Sequence, residues 1–337
     1  MKPDTLQARL DSFPRLPLAP YPTPLEFLPR LSGEVGREIY VKRDDLLGPG
    51  LGGSKTRNLE YLLAEAVERR AKRVATFGGL QSNHARITAA AARKLGLEPH
   101  LFYFERRPPA MQGNLLVNRI LGANLHFIPL GGSGGMTLKA SNRLVRWLAW
   151  MRLGPHYFIP VGGHSWLGCL GYVRAALEIE AQAHDLGIPN AWVVAAAGTG
   201  GTLAGLMAAL ALIGSPLCLL SIDVGKLWKG FPASIARLAG EICARLGEPR
   251  RFSPAQVPLI EAVYVGNCYG LPTQQCLSAL QRLARLEGLL LDPVYTAKAF
   301  GGMLDLVAQS KIGHGDEPVI FLHTGGLPAL FAFDSLV

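Results

Sequence analysis

The chain lacks paired cysteines. Its five, Cys169, Cys218, Cys243, Cys268 and Cys276, contain no Cys-x-x-Cys and are odd in number. That spacing argues against a zinc ribbon or a disulfide framework; a reducing cytoplasm is the expected setting, and no metal is expected. Charge is also sparse, with Asp, Glu, Lys and Arg making up 18% of 337 residues. Alongside 49% hydrophobic residues, this argues against a disordered chain and leaves apolar matter for two lobes rather than one. The formal charge is +9, but zinc-finger spacing and basic stripes interleaved with aromatics are missing, so no nucleic acid is expected. Arg69, Arg70, Lys72 and Arg73 cluster at the end of a predicted helix, where cations suit the dipole and water. The basic surplus reads as a solvated surface that favours anionic ligands.

Long apolar runs are missing too. No charged residue stands between Leu186 and Ile222, yet Gly198, Gly200, Gly201, Gly214 and Pro216 break that stretch. None of its blocks reaches the roughly 20 residues that cross a bilayer, so no membrane span is expected. It reads instead as strand, glycine loop, helix, turn and strand. The first residues carry Asp4, Arg9, Asp11 and several prolines without an apolar run, so no signal peptide is expected.

What is present is punctuation: 39 glycines and 24 prolines divide β-rich runs from helix-period runs. Leu59, Leu62, Leu63, Ala66 and Val67 follow one helical face, and a second helix is predicted over 84–95, stopped by Gly96. Strands are predicted over 74–77, 100–104, 125–130, 157–161, 192–197, 217–223, 260–265 and 319–323. Repeated βα units imply an α/β protein of mostly parallel sheets flanked by helices.

Several strand-to-helix junctions carry candidate chemistry. Gly52-Gly53-Ser54-Lys55-Thr56 opens the first helix. A lysine there faces the positive end of the helix dipole, which disfavours its ammonium form and favours the neutral amine that Schiff-base chemistry needs. The alternatives are an exposed loop lysine or a nucleotide P-loop, but the P-loop requires Gly where Ser54 stands. The turn Gly198-Thr199-Gly200-Gly201-Thr202 follows an apolar strand and precedes a helix, the arrangement that binds a phosphate on backbone amides. With the next glycine at Gly205, its spacing departs from the dinucleotide fingerprint. Gly78-Gly79-Leu80-Gln81-Ser82-Asn83-His84 sits at another such junction, where Ser82 and Asn83 are equally placed to act as helix caps. Gly162-Gly163-His164-Ser165-Trp166-Leu167-Gly168 invites comparison with a hydrolase elbow, but its closing glycine falls one residue late. Tyr269-Gly270-Leu271-Pro272, Asp292-Pro293-Val294-Tyr295-Thr296 and His323-Thr324-Gly325-Gly326 decide nothing one at a time.

Taken in order, these segments resemble the D-cysteine desulfhydrase and 1-aminocyclopropane-1-carboxylate (ACC) deaminase family, tryptophan-synthase-β-like pyridoxal-phosphate enzymes. The likeness runs from Tyr40-Val41-Lys42-Arg43-Asp44-Asp45 to Gly326-Leu327-Pro328-Ala329-Leu330-Phe331. It implies a two-domain fold of type II, with residues 58–167 forming a smaller α/β lobe inserted into a larger one made of 1–57 and 168–337. It implies pyridoxal 5'-phosphate held on Lys55 through a Schiff base and a homodimeric protein. Asn83 would hydrogen-bond the cofactor ring, and Gly198, Thr199, Gly200, Gly201 and Thr202 would hold its phosphate. Thr324 would lie near the pyridine nitrogen. Ser82, Asn83, His84, Tyr269 and Thr296 would face a small amino-acid substrate. Lys55, Ser82, Tyr269 and Tyr295 are the implied catalytic set.

Within that family, ACC deaminases carry Glu and Leu where this chain has Thr296 and Thr324, and tend to carry Gln where it has His84. A carboxylate beside the ring nitrogen keeps it protonated and deepens the electron sink that opening a cyclopropane requires. Threonine cannot do this, so the resemblance implies β-elimination of the desulfhydrase type, yielding pyruvate, ammonia and sulfide from D-cysteine. ACC deamination, or a lyase for another β-substituted alanine such as cysteate, is the alternative. The chain departs from the family at Ser54, Asn58, His164, Ser165 and Trp166, changes that bear on the substrate. Outside the family, two rival readings are a phosphate-binding protein without Schiff-base chemistry and a serine hydrolase using Ser165.

Overall fold

The computed structural model describes residues 1–129 and 135–333. Among these residues ten strands form two sheets. They are β1 (Leu25–Phe27), β2 (Ile39–Lys42), β3 (Arg73–Phe77), β4 (Glu98–Tyr103), β5 (Asn124–Phe127), β6 (Tyr157–Phe158), β7 (Trp192–Ala197), β8 (Cys218–Asp223), β9 (Leu259–Ile260) and β10 (Val319–Leu322). One sheet has the order β1-β2-β10-β7-β8-β9, parallel except for its β1 edge, and the other β5-β4-β3-β6, parallel throughout. The smaller sheet is drawn wholly from residues 73–158, between segments that build the larger one.

Parallel sheets need cover on both faces, and the sequence supplies it. Strands β2 and β10 are buried along their whole length because helices pack on either side. The uncharged stretch resolves into β7, the turn at residues 198–200, the helix Gly201–Ile213 and β8. That helix is apolar on every side because it is buried among others: from Gly201 to Leu210 all its residues are buried. Among the described residues, no helix is long and apolar enough to cross a membrane.

The strand predicted over 260–265 ends at Ile260, because Ala262 takes a positive φ of 61° and turns the chain. The predicted strand over 125–130 ends at Phe127, and Leu130 lies outside the described residues. Strands β1 and β2 went unpredicted, being only 3 and 4 residues long.

A buried ion network ties the first long helix, Lys55–Glu68, to the rest. The Arg57 guanidinium donates to both carboxylate oxygens of Asp44 at 2.8 Å each, and to Glu178 at 2.9 and 2.8 Å. Lys42 donates to Glu178 at 3.3 Å and to the Thr23 carbonyl at 2.7 Å. Two cations and two carboxylates thus neutralise one another, and Tyr172 adds a hydroxyl donor to Asp44 at 3.0 Å. Replacing one member leaves an uncompensated buried charge, which is far costlier than the intact network. Arg57→Ala is therefore expected to lower stability by about 3–5 kcal/mol in urea denaturation. Arg57→Lys should recover only part, having lost the forked geometry. A loss for Arg57→Ala no larger than that of an exposed arginine would contradict this role.

Candidate active site

Parallel strands of both sheets point their C-terminal ends at one cavity of about 530 Å³. Its wall takes Ser82, Asn83 and His84 from the junction after β3, Glu105 from beyond β4 and Gly162 from beyond β6. It takes Gly198, Thr199 and Thr202 from after β7, Trp228 from beyond β8 and Thr324 from after β10. Carboxyl ends of parallel strands are where open α/β sheets place ligands. Lys55, Tyr269 and Tyr295 line the same space. A larger groove of about 1450 Å³ on the outside, between Arg69 and Trp150, contains none of these candidates except Ser165, which serves another purpose described below.

Lys55 is the first residue of its helix, as the sequence implied. Burial holds its amine down to about 8 from the ordinary 10.5, because an ammonium would lose its water there. The loop before it is pinned from two directions. The Ser54 amide donates to the Thr324 carbonyl at 3.0 Å, and the buried Arg86 donates to the carbonyls of Gly50 and Gly52. Gly52 has a φ of 70°, and a Cβ there would run into the Asp45 backbone, so this turn requires glycine.

Ser82 does cap its helix: its Oγ accepts from the Ala85 amide at 3.2 Å. The hydroxyl also lines the cavity with its proton free to donate. Asn83 Oδ1 accepts from Asn114 Nδ2 at 2.9 Å, which fixes which way the amide faces. Thr76 donates its hydroxyl proton to the Ile159 carbonyl at 2.8 Å, so His84 Nε2, at 2.8 Å from Thr76 Oγ1, must carry the ring proton. Burial, with the neighbouring Lys55 charge, lowers His84 to about 3. It is a neutral ring at physiological pH.

The hydroxyls of Tyr269 and Tyr295 hydrogen-bond each other, with ring centroids 5.9 Å apart. Burial raises both phenols well above their ordinary value. The pair is therefore protonated near neutrality and suited to donate. Tyr295 is held by Asp292, a fully buried carboxylate that accepts from the amides of Val294, Tyr295 and Thr296 at 2.9–3.0 Å. Thr296 does not reach the cavity wall. Its Oγ1 lies 2.7 Å from Asp292 Oδ1 and 2.8 Å from the Asp292 amide, so it braces the turn that presents Tyr295. Thr324, by contrast, lines the cavity.

The glycine turn meets the conditions for a phosphate. Gly200 caps the helix Gly201–Ile213 with a φ of 77°, leaving the first amides of that helix without intrahelical partners. Beside them, Thr199 Oγ1 and both polar atoms of the Asn58 carboxamide are buried without hydrogen-bond partners. A side chain on Gly162 would collide with Thr199, and a Cβ on Gly163 would lie 2.9 Å from that of Asn58. A pocket that excludes side chains while holding orphan polar groups and free amides fits an anionic phosphate. Gly200 and Gly201 shape this turn without lining the cavity itself.

Two rival readings lose support here. Ser165 Oγ accepts from the Gly168 amide at 3.2 Å as the cap of the helix Trp166–Asp185. The adjacent His164 turns its Nε2 to Ser234 Oγ at 3.4 Å, and burial lowers the ring to about 4. His164 therefore does not serve Ser165 as a base. A phosphate site without an amine is disfavoured because Lys55 shares the cavity with the glycine turn. The sequence singled out neither Glu105 nor Trp228; Asn58 stands out there only as a departure from the family, and Asp292 lies in a recognised segment without a role of its own.

Comparison with known proteins agrees with this geometry. A sequence profile described as pyridoxal-phosphate dependent enzyme matches residues 16–325. The chain is 41% identical to a D-cysteine desulfhydrase of Yersinia enterocolitica over 334 residues, covering 98% of each. It is 37% identical to a protein of Pyrococcus abyssi provisionally named 1-aminocyclopropane-1-carboxylate deaminase, covering 97% of this chain and 96% of that one. Among solved structures, an ACC deaminase homologue superposes with a TM-score of 0.86 at 36% identity, over 97% of this chain and 96% of that one. Tomato (Solanum lycopersicum) threonine deaminase isoform 2 shares the fold, with a TM-score of 0.64 at 16% identity, over 96% of this chain and 84% of that one. The chain belongs to the pyridoxal-phosphate-dependent enzyme family, with the two parallel-sheet units of its fold type II.

The amine makes a pH-dependent prediction. Below about pH 8 Lys55 is an ammonium without a lone pair, and above it the amine is free to attack an aldehyde. The rate at which cofactor-free protein takes up pyridoxal phosphate should rise with pH and reach half its maximum near 8. Stopped-flow absorbance measures it. A rate still climbing towards pH 10.5 would show an ordinary, solvated lysine.

Proposed function

We propose that this chain removes sulfide from the β-carbon of D-cysteine, or a close relative, leaving pyruvate and ammonia. It is a pyridoxal-phosphate-dependent lyase. The observation that carries the reading is a buried, readily deprotonated amine sharing one cavity with two coupled tyrosine hydroxyls and a phosphate-type glycine turn. When bound, the cofactor supplies an electron sink for the pair left on Cα after proton loss.

This chain's own residues do the rest. The amine of Lys55 holds the cofactor and, once released from it, is the base for the α-proton. The hydroxyl of Ser82, at the N-terminus of the helix Asn83–Lys94, favours the substrate carboxylate there. Asn83, oriented by Asn114, serves the cofactor ring, and the neutral His84 adds bulk and a lone pair without charge. Tyr269 and Tyr295 donate hydrogen bonds to the substrate side chain. Thr324 offers no charge to the ring, which suits elimination of a good leaving group more than opening of a strained carbocycle. Residues 58–167 act as the smaller lobe over the cofactor. A homodimer in a reducing cytoplasm completes the reading.

ACC deamination is the second reading, favoured by the 0.86 TM-score to an ACC deaminase homologue. Its product is α-ketobutyrate rather than pyruvate, and one coupled dehydrogenase assay run with each substrate alone separates the two. D-cysteine is expected to give pyruvate and sulfide at least 100-fold faster than ACC gives α-ketobutyrate, about 3 kcal/mol in barrier. Lys55→Ala should abolish both activities. A faster reaction with ACC, or unchanged turnover by Lys55→Ala, would overturn the assignment.

A further inference from the structure

Glu105 is the one carboxyl among the described residues that line the cavity. It stands just past β4, and its Oε2 is buried without a hydrogen-bond partner. A buried carboxyl oxygen left unpaired weakens the fold, so its retention calls for an explanation in chemistry. Position supplies one. A Cβ built on Gly79 would lie 3.6 Å from Glu105 Oε1 and 3.4 Å from the Tyr269 hydroxyl. The acid and the tyrosine pair therefore converge on the same part of the cavity. Burial raises the carboxyl above the usual glutamate value, against the opposing pull of the Glu105 and Phe104 amides. Ionised Glu105 would also push both tyrosines further from giving up their protons.

We propose that Glu105 is the acid that protonates the departing β-substituent, a role that rests on the lyase reading above. The Lys55 amine takes the α-proton, the pair left on Cα forms the Cα–Cβ double bond, and the Cβ–S bond breaks with its electron pair leaving on sulfur. The carboxyl proton of Glu105 passes to that sulfur, so the substituent departs neutral, as hydrogen sulfide from D-cysteine and as a thiol from an S-alkyl cysteine. The carboxylate then regains a proton from water. Tyr269 and Tyr295 remain protonated throughout and hold the substituent in place.

A general acid matters in proportion to the basicity of what leaves. Chloride needs no proton, hydrosulfide needs little, and an alkylthiolate needs one badly. The test is kcat/KM for β-chloro-D-alanine, D-cysteine and S-methyl-D-cysteine, in the unaltered holoenzyme and in Glu105→Gln. The variant should keep cofactor absorbance and affinity, and turn over β-chloro-D-alanine within about twofold of the parent. It should lose about 100-fold on S-methyl-D-cysteine, the scale of general acid catalysis, with D-cysteine between. The unaltered enzyme offers a check that needs no variant. Its kcat/KM for S-methyl-D-cysteine should fall on an alkaline limb that is absent for β-chloro-D-alanine. Lys55, His84, Lys226, Cys268, Tyr269 and Tyr295, the other titratable side chains lining this cavity, are present whichever substrate is bound. Equal losses on all three substrates, no loss on any, or matching pH profiles would overturn the role of Glu105 and leave the lyase reading standing. Failure of the unaltered enzyme to release pyruvate from any of them would instead overturn the lyase reading.

Discussion

The role proposed for Lys55, capture of an aldehyde near neutrality, requires an amine that is not fully hydrated, and the surroundings of Lys55 meet that constraint. Lys55 is half-buried at the start of a helix whose first turn is locked by Arg57 into a buried, charge-neutral network. The loop ahead of it is tied to β10 through Thr324 and to the helix Asn83–Lys94 through Arg86. Removing solvation lowers the amine's proton affinity, and these ties stop the side chain from escaping to the surface.

The same economy recurs across the cavity. Each parallel strand delivers its polar residues where the strand ends, so two sheets face one ligand with groups from six or more segments. Asp292 shows how such a group is aimed. It gathers three consecutive amides and the Thr296 hydroxyl, and so sets the turn from which Tyr295 reaches its partner. At the glycine turn the logic is inverted. Side chains are excluded, and Thr199 Oγ1 and the Asn58 carboxamide stay buried without hydrogen-bond partners.

Much of this was legible in the sequence because it is local. The lysine at a helix start, the glycine turn between strand and helix, and the capping Ser82 each follow from neighbours in the chain. The α/β class follows from periodicity, and the uncharged stretch from Leu186 to Ile222 was correctly divided by its glycines and Pro216. What escaped depends on contacts remote in sequence. Glu105 looks like one acid beside two arginines until the fold sets it near Tyr269. The resemblance implies a substrate contact at Thr296, but its hydroxyl turns back onto Asp292. The strand predicted over 260–265 failed because apolar alternation cannot show that Ala262 takes a left-handed turn.

The central claim is that one particular amine holds the cofactor. Borohydride reduction of the holoenzyme, followed by peptide mass mapping, tests it directly. The account predicts a single pyridoxyl adduct, on the peptide carrying Lys55. A colourless protein that acquires no adduct when given the cofactor, or an adduct on Lys42, Lys226 or Lys298 instead, would contradict it.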